Sequence, residues 1–339
     1  MEVQHNISAA ATVRRIIRSK AFMLIVLLIV LIIIFTLLAP LNDGVFFQKQ
    51  TLMRILSDIA IPSCLAIGVG MLIVSGGIDL SAARVGGLAA MTVAVGISRW
   101  ALPWWCAFIV ALIIAGVVGL VNAVLVNELG FMPFIATMAM ASVAQAIMAL
   151  IATDNAGRSL SVIPFVDETV DNINRIKFFE VTWSAYLLLI LFIIYGIILS
   201  KSKFGRMMYF VGGNRLAARL TGINAKKISY VLFINTSVLA GLGGVIYTTR
   251  VKNGGILTMV NDQFTGMTAA ILGGISFGGG AGGMGGAFMG LVVIRTFSQG
   301  MIIVGSSSYL ASVLSGVLLI IALTLDYFSQ RRQQKRVNA

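Results

Sequence analysis

Few residues in this sequence can do chemistry, and several of them cluster. In "VSGGIDLSAARVGGLAA", Val74 to Ala90, two glycines interrupt an apolar run, and Asp79, Ser81 and Arg84 follow before the chain turns apolar again. A charge deep in a bilayer costs at least ~2.5–3.5 kcal/mol on insertion scales, so such residues face a cavity or one another. Asp79 reads two ways: as part of a polar pathway beside a broken helix, or as an ordinary N-cap at an interfacial loop. Arg295, in "LVVIRTFSQG", lies near the middle of another apolar segment. It is either a cavity-facing cation paired to Asp79 or Asp58, or a side chain snorkelling to the interface. Asn122 and Gln299 are the further helix-borne polar groups on which a translocation pathway would draw.

Other chemistries lack their groups. The sequence has one histidine, His5, and two cysteines, Cys64 and Cys106, which sit in apolar runs without motif spacing. No metal site follows from that inventory, and hydrolytic chemistry wants convergent groups that are missing. Gly280, Gly282 and Gly285 form a G-x-G-x-x-G. A dinucleotide site would add a preceding strand and a later acid, and a phosphate loop would add Gly-Lys-Ser/Thr. Neither context is present, so no cofactor is expected. The four-residue spacing of Gly282, Gly286 and Gly290 instead predicts close helix packing in lipid, with a sharp turn at Gly278–Gly280.

The elements that must position these residues are membrane helices. Of 339 residues, 58% are hydrophobic and 11% charged, with a mean hydropathy of +0.98. Soluble domains carry about 25% charged residues. The sequence therefore predicts an all-α polytopic membrane protein, with about eight to ten transmembrane helices of roughly 20 residues each. Apolar segments fall near 21–39, 52–74, 84–98, 104–126, 131–152, 182–200, 228–248, 265–277, 285–303 and 309–325. The 265–277 segment is short enough to be re-entrant. The run from Ala21 exceeds the 7–15 residues of a signal peptide core, so it reads as an uncleaved first helix.

Charge sets the orientation. The loop 201–227 holds seven Lys/Arg and no acid, whereas the loop 153–181 is rich in acids. The positive-inside rule puts 201–227, the tail 1–20 and the tail 329–339 in the cytoplasm and 153–181 outside, around a single permease domain spanning 21–328. The net charge of +13 belongs to those loops; no aromatic interleaving or motif supports nucleic acid.

Four segments, taken in order, resemble bacterial monosaccharide ABC-importer permeases of the ribose/galactose type. "GGIDLSAARVGGLAA" resembles their Gly-x-Asp-Leu-Ser segment, and "FGRMMYFVGGNRLAARLTGI" their Gly-Arg…Gly-Gly-Asn-x-x-Ala-Ala-x-x-x-Gly-Ile cytoplasmic loop. "AAILGGISFGGGAGGMGG" resembles their Gly-Gly-x-Ser-x-x-Gly-Gly segment, and "QGMIIVGSSSY" their last extracytoplasmic turn. The order holds from about residue 20 to 328, and the Asp-Leu-Ser-Ala form leans toward the galactose/methyl-galactoside branch.

The resemblance implies a plasma (inner) membrane transporter subunit, not an enzyme. Two permease copies would form the pathway, an extracytoplasmic sugar-binding protein would deliver the sugar, and a separate ABC ATPase would drive the cycle from the cytoplasmic side. It also implies that Gly205, Arg206, Gly212, Gly213, Asn214, Arg215, Ala217, Ala218 and Gly222 couple to that ATPase. Gly212, Gly213 and Asn214 are expected to make a turn through positive φ. "RLAARL" would be a short helix whose Ala217 and Ala218 approach a partner groove, ended by Gly222. Where the family has Glu and Asp before the Gly-Gly segment, this chain has Gln263 and Thr265. A permease for branched-chain amino acids or nucleosides, or a self-sufficient secondary transporter, remains the alternative.

Overall fold

The computed structural model describes residues 20–42 and 44–306, with scattered positions between 310 and 327. The N-terminal tail, the residues after 327 and the serines at 307–308 lie outside the described residues, as do the expectations placed on them.

The described chain is almost wholly helical. In order it forms α1 (Lys20–Leu38), α2 (Lys49–Asp58), α3 (Ala60–Val74), α4 (Ala82–Ser98), α5 (Trp104–Asn127) and α6 (Pro133–Ile151). There follow α7 (Glu168–Arg175), α8 (Trp183–Lys201), α9 (Lys203–Gly213), α10 (Arg215–Leu220), α11 (Ala225–Val251), α12 (Asp262–Leu272) and α13 (Met284–Ile303). This is an all-α polytopic membrane protein.

Among the described residues five helices are long and apolar enough to cross a bilayer, or six if α2 and α3, bent by 42°, make one span. The sequence count of eight to ten is higher for a physical reason. Two apolar runs become short helices, α4 of 17 residues and α12 of only 11, whereas α1, at 19 residues, is as long as α6 and α8. At 1.5 Å per residue α12 extends about 16 Å, half a bilayer. The tenth run, 309–325, is described only in part.

Boundaries follow local chemistry. Pro133 opens α6, where its missing N–H costs nothing. Asn214 and Asn224 cap α10 and α11 by accepting from amides of their first turns.

The core sits around α11, which packs on α3, α4 and α5. Lipid offers helices no hydrophobic drive to associate, so they pack through small residues. A β-carbon on Gly244 would lie 2.0 Å from the Gly86 carbonyl oxygen, and one on Gly119 2.7 Å from that of Phe233. Larger side chains at those positions would hold the helices apart.

The two ends of α11 mark the two faces of the molecule. Before its start lie α9, α10 and Glu128, which pairs with Lys226 at 2.9 Å. After its end, β4 (Asn253–Gly255) pairs antiparallel with β1 (Val162–Pro164). The 153–181 loop is thus tied to the face opposite the basic 201–227 segment. On the same face, β2 (Lys177–Phe178) and β3 (Val181–Thr182) form a small hairpin.

Candidate coupling and pathway site

Ser202 caps α9 by accepting from the Gly205 amide at 2.9 Å. A β-carbon on Gly205 would sit 2.2 Å from the Leu199 carbonyl oxygen, so glycine permits the sharp α8–α9 corner. Gly212 and Gly213 do not make the expected turn: both lie in the last turn of α9, and Asn214 is extended at φ −156°. Close approach is what requires glycine at 212. Its β-carbon would lie 1.9 Å from the Val74 carbonyl oxygen and 2.7 Å from the Gly280 nitrogen.

The α10 helix spans "RLAARL", and Gly222, at φ +81°, follows its end. Its two alanines differ. Ala218 is buried against the chain itself, while Ala217 is exposed. Leu216 and Leu220, 68% and 82% exposed, flank Ala217 on the outward side. Sequence reasoning missed these leucines, although their i, i+4 spacing in a basic loop was a readable sign of an apolar face. Arg206, Arg215 and Arg219 form no ion pair with any described residue; Arg206 donates to the Lys201 carbonyl at 3.1 Å.

Two chain breaks meet α9. The segment after α3 turns at Gly76 (φ +80°), and the α12–α13 connection turns at Gly279 and Gly280 (φ +83° and +71°). The Gly280 amide donates to the Val74 carbonyl at 2.9 Å, and the Tyr209 hydroxyl donates to the Gly282 carbonyl at 2.6 Å. Gly282 lies before α13 at φ +114°, pressed on Ile275, so it does not continue the helical glycine row. Gly286 and Gly290 do face α12: their β-carbons would lie 1.9 Å from the Gly273 and 2.2 Å from the Ala269 carbonyl oxygens.

The structure brings Asp79, Ser81 and Asn122 together, all fully buried. Asp79 Oδ1 accepts from the Ser81 amide at 2.8 Å and from its hydroxyl at 2.6 Å. Asn122 Nδ2 donates to Ser81 Oγ at 2.8 Å. The missed member is Gln263. Its amide donates to the Asp79 carbonyl at 2.9 Å and accepts from the Ala83 amide at 2.9 Å. Asp79 Oδ2 and Asn122 Oδ1 have no partner among the described residues.

Arg84 stands apart from this cluster, donating to the Ile256 carbonyl at 3.1 Å. Arg295 pairs with neither Asp79 nor Asp58. Its guanidinium meets Asp262 at 2.7 Å, and Asp58 is taken by Arg250 at 2.6 Å. The α12–α13 packing places Asp262 nearest. Gln299 is half-buried one turn further along α13. Asp262 also lines a 430 Å³ cleft with Tyr247, Asn253 and Asn261 on the β1–β4 face. No group of three metal-ligating side chains occurs among the described residues.

Residues 51–323 match the family described as "Branched-chain amino acid transport system / permease component". The chain belongs to that family. Permeases that resemble it include the ribose import permease protein of Bacillus subtilis (strain 168), 29% identical over 86% of this chain and 89% of the relative. The D-allose transport system permease protein of Escherichia coli (strain K12) is 29% identical over 84% and 86%. The galactose/methyl galactoside import permease protein of Salmonella typhimurium is 25% identical over 86% and 91%. No solved structure matches this permease.

Proposed function

We propose that this permease is the membrane-spanning subunit of an ABC importer for a monosaccharide in the bacterial plasma membrane. The observation that carries the reading is the kind of relative: permeases for ribose, allose and galactose/methyl galactoside, each aligned over 84% or more of this chain. Branched-chain amino acids, named in the family's description, are the second reading.

A separate ATPase docks on α10, with Leu216, Ala217 and Leu220 entering its groove. Exposed leucines on a short helix that presents only basic charge support that assignment. A binding protein delivers sugar to the opposite face, and two permease copies enclose the path. Their full burial supports a role for Asp79, Ser81 and Asn122 in holding the chain break beside the path, with Arg84, Arg295 and Gln299 the candidates to face it. No bond of the sugar is made or broken; ATP-driven closure exchanges outward and inward access.

The test is uptake by proteoliposomes holding this permease with its ATPase and binding protein, offered ribose, allose, galactose and leucine separately. ATP-dependent uptake of one sugar and no leucine is expected. Leucine uptake would overturn the sugar reading, and sugar uptake without ATPase would overturn the importer.

A further inference from the structure

Three segments far apart in sequence interlock at the basic end largely through backbone, with the Tyr209 hydroxyl on the Gly282 carbonyl as a side-chain contact beside them. They are the end of α9, the break after α3 and the turn before α13. Close approach requires glycine at the end of α9 and at the turn before α13, and a positive φ favours it at Gly76. A β-carbon on Gly212 would strike Val74, and one on Gly279 would lie 2.9 Å from the Gly212 carbonyl oxygen. One on Gly280 would lie 2.8 Å from Gly213 Cα. Side chains in such a joint would absorb displacement by changing rotamer; backbone against backbone cannot.

Each break leads to the head of α12. Three residues beyond Gly76 is Asp79, whose carbonyl is held by Gln263. The other break continues into α13, whose Arg295 holds Asp262. Asp262 and Gln263 are the first two residues of α12, and Asp262 lines the cleft on the far face. The other end of α12 runs into the glycine turn itself. This short helix is therefore a strut of about 16 Å, linking the joint at one face to the floor of a cleft at the other.

We infer that displacement of α9 by the ATPase passes through the Gly212–Gly279–Gly280 joint, and that Gln263 is the positioning residue that carries it to the cleft. The inference rests on the reading of α9 and α10 as the ATPase contact. The unused acceptors Asp79 Oδ2 and Asn122 Oδ1 support it. Buried polar atoms are nearly always bonded, and a network with two spare acceptors can re-pair as the strut shifts.

The experiment compares Gly280→Ala and Gln263→Leu with wild type in the full assembly, reconstituted with ATPase and binding protein. Three quantities are read: ATPase retained on purification, ATP hydrolysis, and sugar imported per ATP. Both variants should keep the ATPase and its turnover while sugar per ATP falls about tenfold, the scale of an ordinary coupling energy. Gly285→Ala, whose β-carbon meets nothing within 4 Å, should match wild type. Gln263→Asn, which keeps both an amide donor and an acceptor, should recover part of the loss. Unchanged sugar per ATP in Gln263→Leu overturns the inference, as does a parallel loss of hydrolysis and transport in that variant. If Gly280→Ala fails to fold, Gln263→Leu alone decides. A wild-type assembly that moves no sugar would instead overturn the proposed function.

Discussion

The two faces of the molecule are held together in different proportions: a glycine joint with an ion pair, Glu128–Lys226, at the basic face, and several ion pairs beside a close glycine, Gly254 on Ala90 and Met91, at the other. At the basic face, backbone meets backbone: Gly212 on Val74, Gly279 on Gly212, Gly280 on Gly213. At the face of the β1–β4 pairing, charged side chains meet: Lys49 with Glu180, Asp58 with Arg250, Lys252 with Asp171. Glycine joints tolerate no added atom and no slack. Ion pairs at a wet surface are worth about 0–1 kcal/mol, are screened by salt and re-form easily. Under the proposed function the basic face receives force and needs the first kind, and the opposite face, where the binding protein would deliver sugar, can use the second.

The contrast breaks most severely at Gly212. Gly212→Val should cost about 3 kcal/mol or more, since the added carbons overlap the Val74 carbonyl and the backbone must part. The check is loss of folded protein in detergent by thermal unfolding. Next, Arg295→Met leaves Asp262 half-buried and unpaired, which should cost about 2–3 kcal/mol. Pairing it with Asp262→Leu should recover much of that loss, as a double-mutant cycle would record. Leu216→Asp or Ala217→Glu should leave stability unchanged within about 0.5 kcal/mol, as exposed positions do, yet remove the ATPase on purification. Asp58→Asn, at the other face, should change stability by about 0.5 kcal/mol, and by less in high salt.

The smallest effect concerns Glu128, at the basic face beyond the end of α5. Its hydrogen bond to Lys226 holds the carboxyl of this exposed residue below the usual range, a pull that slight desolvation opposes. A depressed folded value means the contribution is present above the unfolded value and is lost as pH falls through the folded one. Acid titration of wild type against Glu128→Gln should therefore converge at low pH, with the difference confined to neutral pH.

What the sequence disclosed and what it withheld differ by range. The spans follow from unbroken apolar runs and the end of α10 from Gly222, both local signals, whereas Asn214, expected in a positive-φ turn, caps α10 from an extended backbone. In the sequence Gln263 shows only as a departure from a family pattern, because its partners Asp79 and Ala83 lie some 180 residues away. The sequence offers Arg295 the wrong acids, Asp79 and Asp58, for the same reason: only packing places Asp262 beside it. Glycine at 212 was legible as special but not why, since positive φ and close approach demand the same residue. The clustering of Asp79 and Ser81 was local enough to read, whereas the burial that closes them away from solvent came from α5 and α12.

The most direct test of the account is purification of this permease from native membranes, with bound partners identified and their stoichiometry measured, for wild type and Ala217→Glu. An ABC ATPase should be held in fixed stoichiometry by wild type and be absent from the variant, with both chains equally abundant in the membrane. A permease that purifies alone and still carries sugar into liposomes would contradict it, and α10 would then be no more than a basic loop.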